Sequence, residues 1–221
     1  MKRIALALSA PFDIAPARLD VERLGDIAAR AATIVLFSLM AVRFGADFLV
    51  TGRLTGLLLL TSEMLVVVLT VMRRSTATVD RSVRARLLTT LSMLGPPLLR
   101  PANTVAILPQ SVTVAASIVG LAVVIAAKIT LGRSFGLMPA NRGVVASGVY
   151  RIVRHPIYMG YLITHVAFLA ANPSPWNIAA LVAADAALLL RAICEERTLS
   201  RDVRYRAYQE SVRWRVCPGL F

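Results

Sequence analysis

The stretch Ser147-Gly148-Val149-Tyr150-Arg151-Ile152-Val153-Arg154-His155-Pro156-Ile157-Tyr158-Met159-Gly160 gathers two guanidinium groups, an imidazole and two phenols where a basic loop meets a long apolar run. Pro156 disfavours helical backbone at His155 and suits the first position of a helix, so a helix is expected to begin there. Its unpaired N–H groups would point back at Arg154 and His155, which makes an anion-binding corner. Gly160, one turn in, has no side chain and would let a flat ligand approach the helix backbone. The corner reads as the mouth of an active site.

Two adjacent acids, Glu195 and Glu196, form the second group, placed at the end of the last apolar run. A helix dipole disfavours acids at its C-terminal end, so something should compensate them. The candidates are Arg154, Arg191, or a ligand carrying a cation or hydroxyls. Tyr158, Tyr205 and Tyr208 could stack on or hydrogen-bond to such a ligand, or anchor the chain at a membrane interface. Three more ionisable residues, Glu63, His165 and Asp185, fall inside apolar segments, where such groups face a partner or a cavity. His165 and Asp185 could pair across the last two spans. Glu63 is either protonated and bonded to a neighbouring helix or part of a cavity.

Other chemistries are excluded. Two histidines ten residues apart, with no Cys/His cluster, make no zinc site. There is no GxSxG, no P-loop and no GxGxxG after a strand. Cys194 and Cys217 are not a CxxC pair and read as reduced thiols; the acids beside Cys194 oppose thiolate formation.

These residues must be positioned by membrane helices. The 221 residues are 57% hydrophobic and mean hydropathy is +0.68, too apolar for a soluble domain. The net charge of +13 comes mostly from arginine, as expected of cytoplasmic loops under the positive-inside bias. With aromatics at 6%, it does not have the basic and aromatic mixture of a nucleic-acid surface, and no nucleic-acid partner is expected. The Ala-rich, Arg-over-Lys composition suggests a bacterial inner membrane.

In order, an uncleaved cytoplasmic lead-in through Asp26 precedes spans near Ile27–Leu49 and Leu54–Met72. Arg43 and Asp47 could pair near the far end of the first. Arg73, Arg74, Arg81, Arg84 and Arg86 mark a cytoplasmic loop. Leu87–Leu99 is expected to be a third span kinked by Gly95-Pro96-Pro97, because only then do the two basic loops share a side. The fourth runs from Pro109 to Leu131, the fifth from Pro156 to Ala171, and the sixth from Trp176 to near Arg191. Asn172-Pro173-Ser174-Pro175 should turn the last two into a hairpin, with a basic amphipathic tail after it. The expectation is thus all-α: one domain, 1–221, a bundle of about six spans, with spans 1 to 4 in 27–131 and a cofactor-binding core in 132–221. Both termini and the Arg154/Glu196 site are expected on the cytoplasmic side.

Leu131-Gly132-Arg133-Ser134-Phe135, Gly148-Val149-Tyr150-Arg151, Arg154-His155-Pro156-Ile157-Tyr158-Met159-Gly160, Glu195-Glu196 with Leu199, and Tyr205-Arg206-Ala207-Tyr208 together resemble the isoprenylcysteine carboxyl methyltransferase family and its phospholipid N-methyltransferase relatives. The resemblance covers about the C-terminal two-fifths; Val149 stands where the family often has Pro, and the first three spans match no pattern of it. It implies a membrane-embedded enzyme that uses S-adenosyl-L-methionine, with Tyr150, Arg154, His155, Pro156, Tyr158, Gly160, Glu195 and Glu196 lining the cofactor site. Arg154, Glu196 and Tyr208 are the positioning candidates. The acceptor would be a lipophilic small molecule or lipid carrying a carboxylate, thiol or amine. The alternatives are an NADPH-dependent membrane reductase of the sterol reductase kind and a non-catalytic membrane scaffold.

Overall fold

The computed structural model describes residues 21–72, 82–131 and 144–221, with side chains described from Ala31 to Met64 and throughout the two later blocks. The expected lead-in up to Asp20, the arginines at 73, 74 and 81, and the loop from Gly132 to Asn141 with its Gly-Arg-Ser-Phe motif lie outside the described residues. Contacts divide the chain into two units, Met1–Val35 and Leu36–Phe221. The first contributes the opening of α1; the contacts and the candidate site described below lie in the second.

Among the described residues the architecture is all-helical: α1 (Val21–Thr51), α2 (Thr55–Met72), α3 (Val83–Leu98), α4 (Gln110–Leu131), a 3-10 turn at Gly148–Arg151, α5 (Pro156–Ala171), α6 (Pro175–Leu199) and α7 (Val203–Ser211). Among the described residues, three helices are long and apolar enough to cross a membrane, namely Ala31–Thr51 within α1, α4 and α6. The six expected spans are therefore supported in part. α5, although apolar, has 16 residues, and α3 has 16 with Pro96 and Pro97 in its last turn, both short of the ~20 residues that helical rise requires of an upright span.

The helix starts follow local chemistry. Pro156 and Pro175 each open a helix with the fixed φ that suits its first turn. Ser174 caps α6 by accepting from Asn177 N, and Asp202 caps α7 by accepting from Arg204 N.

Packing pairs the helices differently from a simple hairpin. α5 lies along α4 and α6 along α3, while α5 and α6, joined by a short connection, touch little. Small residues make both close contacts. A Cβ on Gly160 would stand 2.6 Å from Val124 Cγ2 and 2.7 Å from Gly120 O, and one on Gly95 would stand 2.2 Å from Ala184 Cβ. Gly160 therefore serves close approach of α4, where the sequence suggested approach of a ligand.

At one end of the bundle, asparagines tie the connections together. Asn172 Oδ1 accepts from Arg53 Nη1 at 3.1 Å and Ala102 N at 3.1 Å, and Asn177 Nδ2 donates to Arg100 O at 2.9 Å. Trp176, half exposed as expected of an anchor, donates Nε1 to Leu98 O at 2.7 Å. Asp47 pairs with Arg53 rather than with Arg43, whose Nη1 instead donates to Leu99 O at 3.3 Å. The link after α1 brings Arg53 back over Asp47, a contact that helical i,i+4 spacing does not reveal.

Gly160→Ala should lower stability by about 1 to 3 kcal/mol through overpacking, read as a fall in detergent-solubilised thermal midpoint. Gly45→Ala, with nothing within 4 Å of the added carbon, should leave the midpoint unchanged or raise it.

Candidate functional site

The segment between the 3-10 turn and α5 is held by the C-terminal tail. Arg154 N donates to Trp214 O at 2.9 Å and His155 N to Arg215 O at 2.7 Å, and Val153 and Trp214 form an isolated parallel bridge. These bonds aim both side chains at the last turns of α6. Arg154 Nε lies 2.7 Å from Glu196 Oε1 and its Nη2 3.4 Å from Oε2. Its Nη1 donates to Val212 O at 2.8 Å and Arg213 O at 3.2 Å. From the tail, Arg215 Nε donates to Glu196 Oε2 at 2.8 Å. Glu196 is buried, with both oxygens against guanidinium groups. A buried carboxylate is tolerated only with such pairing.

Glu195 faces the other way, toward α5. Its Oε1 accepts from Tyr158 Oη at 2.7 Å and from Arg191 Nε, one turn earlier on α6, at 2.9 Å. The Arg191 guanidinium lies 5.5 Å from the centre of the Tyr158 ring, within cation–π range. His155 sits between the two acids: Nδ1 is 3.7 Å from Glu195 Oε2 and Nε2 is 3.3 Å from Glu196 Oε1. The second distance does not have hydrogen-bond geometry, so Nε2 is buried without a hydrogen-bond partner among the described residues. The imidazole stacks on Tyr158 at 5.2 Å and 13°, and it occupies the N-cap of α5 without making a capping bond.

A phenolic wall closes the site beneath. Tyr208 Oη donates to Tyr150 O at 2.7 Å, which fixes the 3-10 turn against α7, and the Tyr205 and Tyr208 rings meet edge to face at 5.7 Å. Burial pushes the Tyr208 hydroxyl up to about 12 and raises those of Tyr150 and Tyr205 above the ordinary phenol value. All three remain neutral hydrogen-bonding groups at neutral pH.

The structure brings Tyr150, Arg154, His155, Pro156, Tyr158, Glu195, Glu196 and Tyr208 into one neighbourhood. Gly160 lies on the α4 contact described above. Two expectations change in detail. α6 continues to Leu199, so Glu195 and Glu196 lie within its last turns; the 1,4 pairing of Arg191 with Glu195 offsets the unfavourable dipole there. Arg154, expected as an anion donor, is committed to Glu196 and tail carbonyls, which leaves the uncapped start of α5 as the anion-favouring feature of the corner.

Arg215 went unread in the sequence, because one arginine in a basic tail carries no periodic signal. Tyr161 also went unread; its hydroxyl is buried and, among the described residues, without a partner. The expected pairing of His165 with Asp185 is present, with Nδ1 2.6 Å from Oδ1, and Glu63 Oε1 is 3.8 Å from His165 Nε2. Cys194 is buried and Cys217 partly so, both as free thiols.

The donor set fits a zwitterionic amino-acid ligand. The uncapped start of α5 suits a carboxylate, while Glu195 Oε2, 3.7 Å from His155 Nδ1, suits an ammonium or hydroxyl.

The model of the isoprenylcysteine carboxyl methyltransferase (ICMT) family matches residues 111–201, from α4 through the acid pair, and supports the resemblance drawn from the motifs. Search of curated proteins returned no match. With the apolar helices, the family match supports an integral-membrane methyltransferase.

Glu196→Gln should destabilise the tail's attachment by about 3 to 5 kcal/mol, since it leaves two guanidinium groups without their charge partner. Faster proteolytic cleavage after residue 200 and altered Trp214 fluorescence would report it.

Proposed function

We propose that the chain transfers a methyl group from S-adenosyl-L-methionine to a lipophilic acceptor drawn from the bilayer. The observation that carries the reading is the uncapped start of α5, with His155 at its N-cap and Glu195 beside it, within the segment that matches the family. His155 and the Ile157 N–H would hold the donor's carboxylate, since Pro156 has no N–H and those of Tyr158 and Met159 donate to His155 O. Glu195 and Tyr158 would take its ammonium or ribose hydroxyls, and Tyr150 would contribute a wall.

The donor supplies a methyl on a positively charged sulfur, which reacts by in-line displacement. That step needs alignment and exclusion of water more than strong acid or base. Arg154, Glu196 and Tyr208 fit positioning roles, since they fasten the tail and the 3-10 turn around the site without depending on a ligand. The site would open to the cytoplasm of a bacterial cell, with the chain acting as one domain of the inner membrane. The reductase alternative has no support from the family match, whose members transfer methyl groups.

Calorimetry of the purified chain tests this. S-adenosylhomocysteine should bind, and His155→Ala should weaken it at least about tenfold, or about 1.4 kcal/mol. Absence of binding to the unaltered chain would end the proposal.

A further inference from the structure

A cavity of about 40 Å³ opens between the helices, with Glu63 of α2, Tyr158, Tyr161 and His165 of α5, and Asp185 and Arg191 of α6 on its walls. One water needs roughly 10 to 15 Å³, so there is room for about two or three waters and none for a lipid head. His165 Nε2 and the Tyr161 hydroxyl are buried and, among the described residues, without a hydrogen-bond partner, and the two rings stack at 6.2 Å. Glu63 Oε1 lies 3.8 Å from His165 Nε2, too far for a direct hydrogen bond. Buried polar atoms left unpaired are costly, and a polar gap of this length is one that water bridges.

The surroundings require no charged guest. Asp185 Oδ1 holds His165 Nδ1 at 2.6 Å and Glu63 faces the other ring nitrogen, an arrangement that favours the imidazolium, with an N–H at each position. Lys128 of α4 donates to Ser62 O at 3.2 Å, lies 5.3 Å from the Tyr161 ring centre and interacts electrostatically with Glu63. The two acids thus have two cations, while Arg191 is held by Glu195. Among the described residues no three His, Cys, Asp or Glu side chains converge to hold a metal ion. What suits the cavity is a small neutral molecule that accepts from Nε2 and donates to a carboxylate, and water does both.

We propose that this cavity is an internal water site, and that its water completes a tie running from Glu63 of α2 through His165 of α5 to Asp185 of α6. The water accepts from His165 Nε2, donates to Glu63 and shares a hydrogen bond with Tyr161 Oη. Such a tie has a task here, because α5 and α6 pack on different neighbours and touch each other little. Tyr158, Tyr161 and His165 share one face of α5 at three- and four-residue spacing, so the tie lies about two turns from Tyr158. Tyr158 and Arg191 line the same cavity and both bond Glu195. The hydrated tie therefore sets the separation of α5 and α6 from which Glu195 is held. On the methyl-transfer reading, His165 and Glu63 are then positioning residues for the donor.

The chain has only two histidines, so labelling their rings with nitrogen-15 gives few signals to separate, and His165→Gln identifies those of His165. In the full chain in detergent micelles at neutral pH, both His165 ring nitrogens should be protonated. The Nε2 proton should show cross-relaxation to water, with the sign that distinguishes bound water from proton exchange. Ser92 lines the same cavity. Ser92→Val should displace the water, remove that signal and lower the thermal midpoint by stranding two polar atoms, whereas Ser92→Ala should keep the signal. An unprotonated Nε2, no water signal in the unaltered chain, or a raised midpoint in Ser92→Val overturns the water site; if Ser92→Val does not fold, the signal in the unaltered chain decides. Glu63→Gln should weaken S-adenosylhomocysteine binding at least about threefold, and Glu63→Asp, whose shorter acid water can still reach, should recover part of it. Unchanged affinity in a folded Glu63→Gln variant overturns the positioning role. A water signal in a chain that binds no S-adenosylhomocysteine would overturn the donor reading and leave the water site standing.

Discussion

The burial of Glu196 between Arg154 and Arg215 governs how the C-terminal half is put together. A carboxylate removed from water at the end of a long apolar helix requires compensation on both oxygens. Two parts of the chain supply it, the segment just before α5 and the tail after α7. Drawing these together brings Val153 beside Trp214, sets His155 at the start of α5, and leaves the first turn of that helix uncapped and facing Glu195. The ion-pair network contributes less to net stability than to a unique arrangement; apolar side chains of similar volume could fill the same space without fixing where His155 points.

From this arrangement follows a division of labour between the two acids. Glu196 is saturated by guanidinium groups and acts as the fastening. Glu195 has one oxygen engaged by Tyr158 and Arg191 and the other only approached by His155, so it retains capacity for a ligand. Tyr158 links two parts of the bundle, since its hydroxyl donates to Glu195 and the residue also lines the cavity that holds His165 and Asp185.

Most of the helical framework was legible in the sequence because the signals are local. Pro156 and Pro175 mark helix starts, apolar runs mark α1, α2 and α4, and the Asn172-Pro173 turn marks the end of α5. Partner choice was not legible. Gly120, Gly160 and Gly95 determine that α5 meets α4 and α6 meets α3, but small residues on an apolar helix show no direction in one dimension. The extent of α6 was underestimated because Glu195, Glu196 and Arg197 look like the end of a span, whereas the 1,4 pairing with Arg191 and the bond from Arg154 keep the helix going to Leu199. The cluster around Glu195 and Glu196 was legible by residue type and expected closeness, except that Gly160 belongs to the α4 contact and that Arg215 and Tyr161 act through tertiary contacts with no sequence spacing to announce them.

Hydrogen–deuterium exchange on the full chain, with and without S-adenosylhomocysteine, tests most directly whether the tail-fastened start of α5 is the donor site. Added protection should be concentrated at residues 153–160 and 191–199, with none at the asparagine-tied connections around 98–108 and 172–177. Protection confined to those connections, or no change in exchange at a saturating concentration of the ligand, would contradict it.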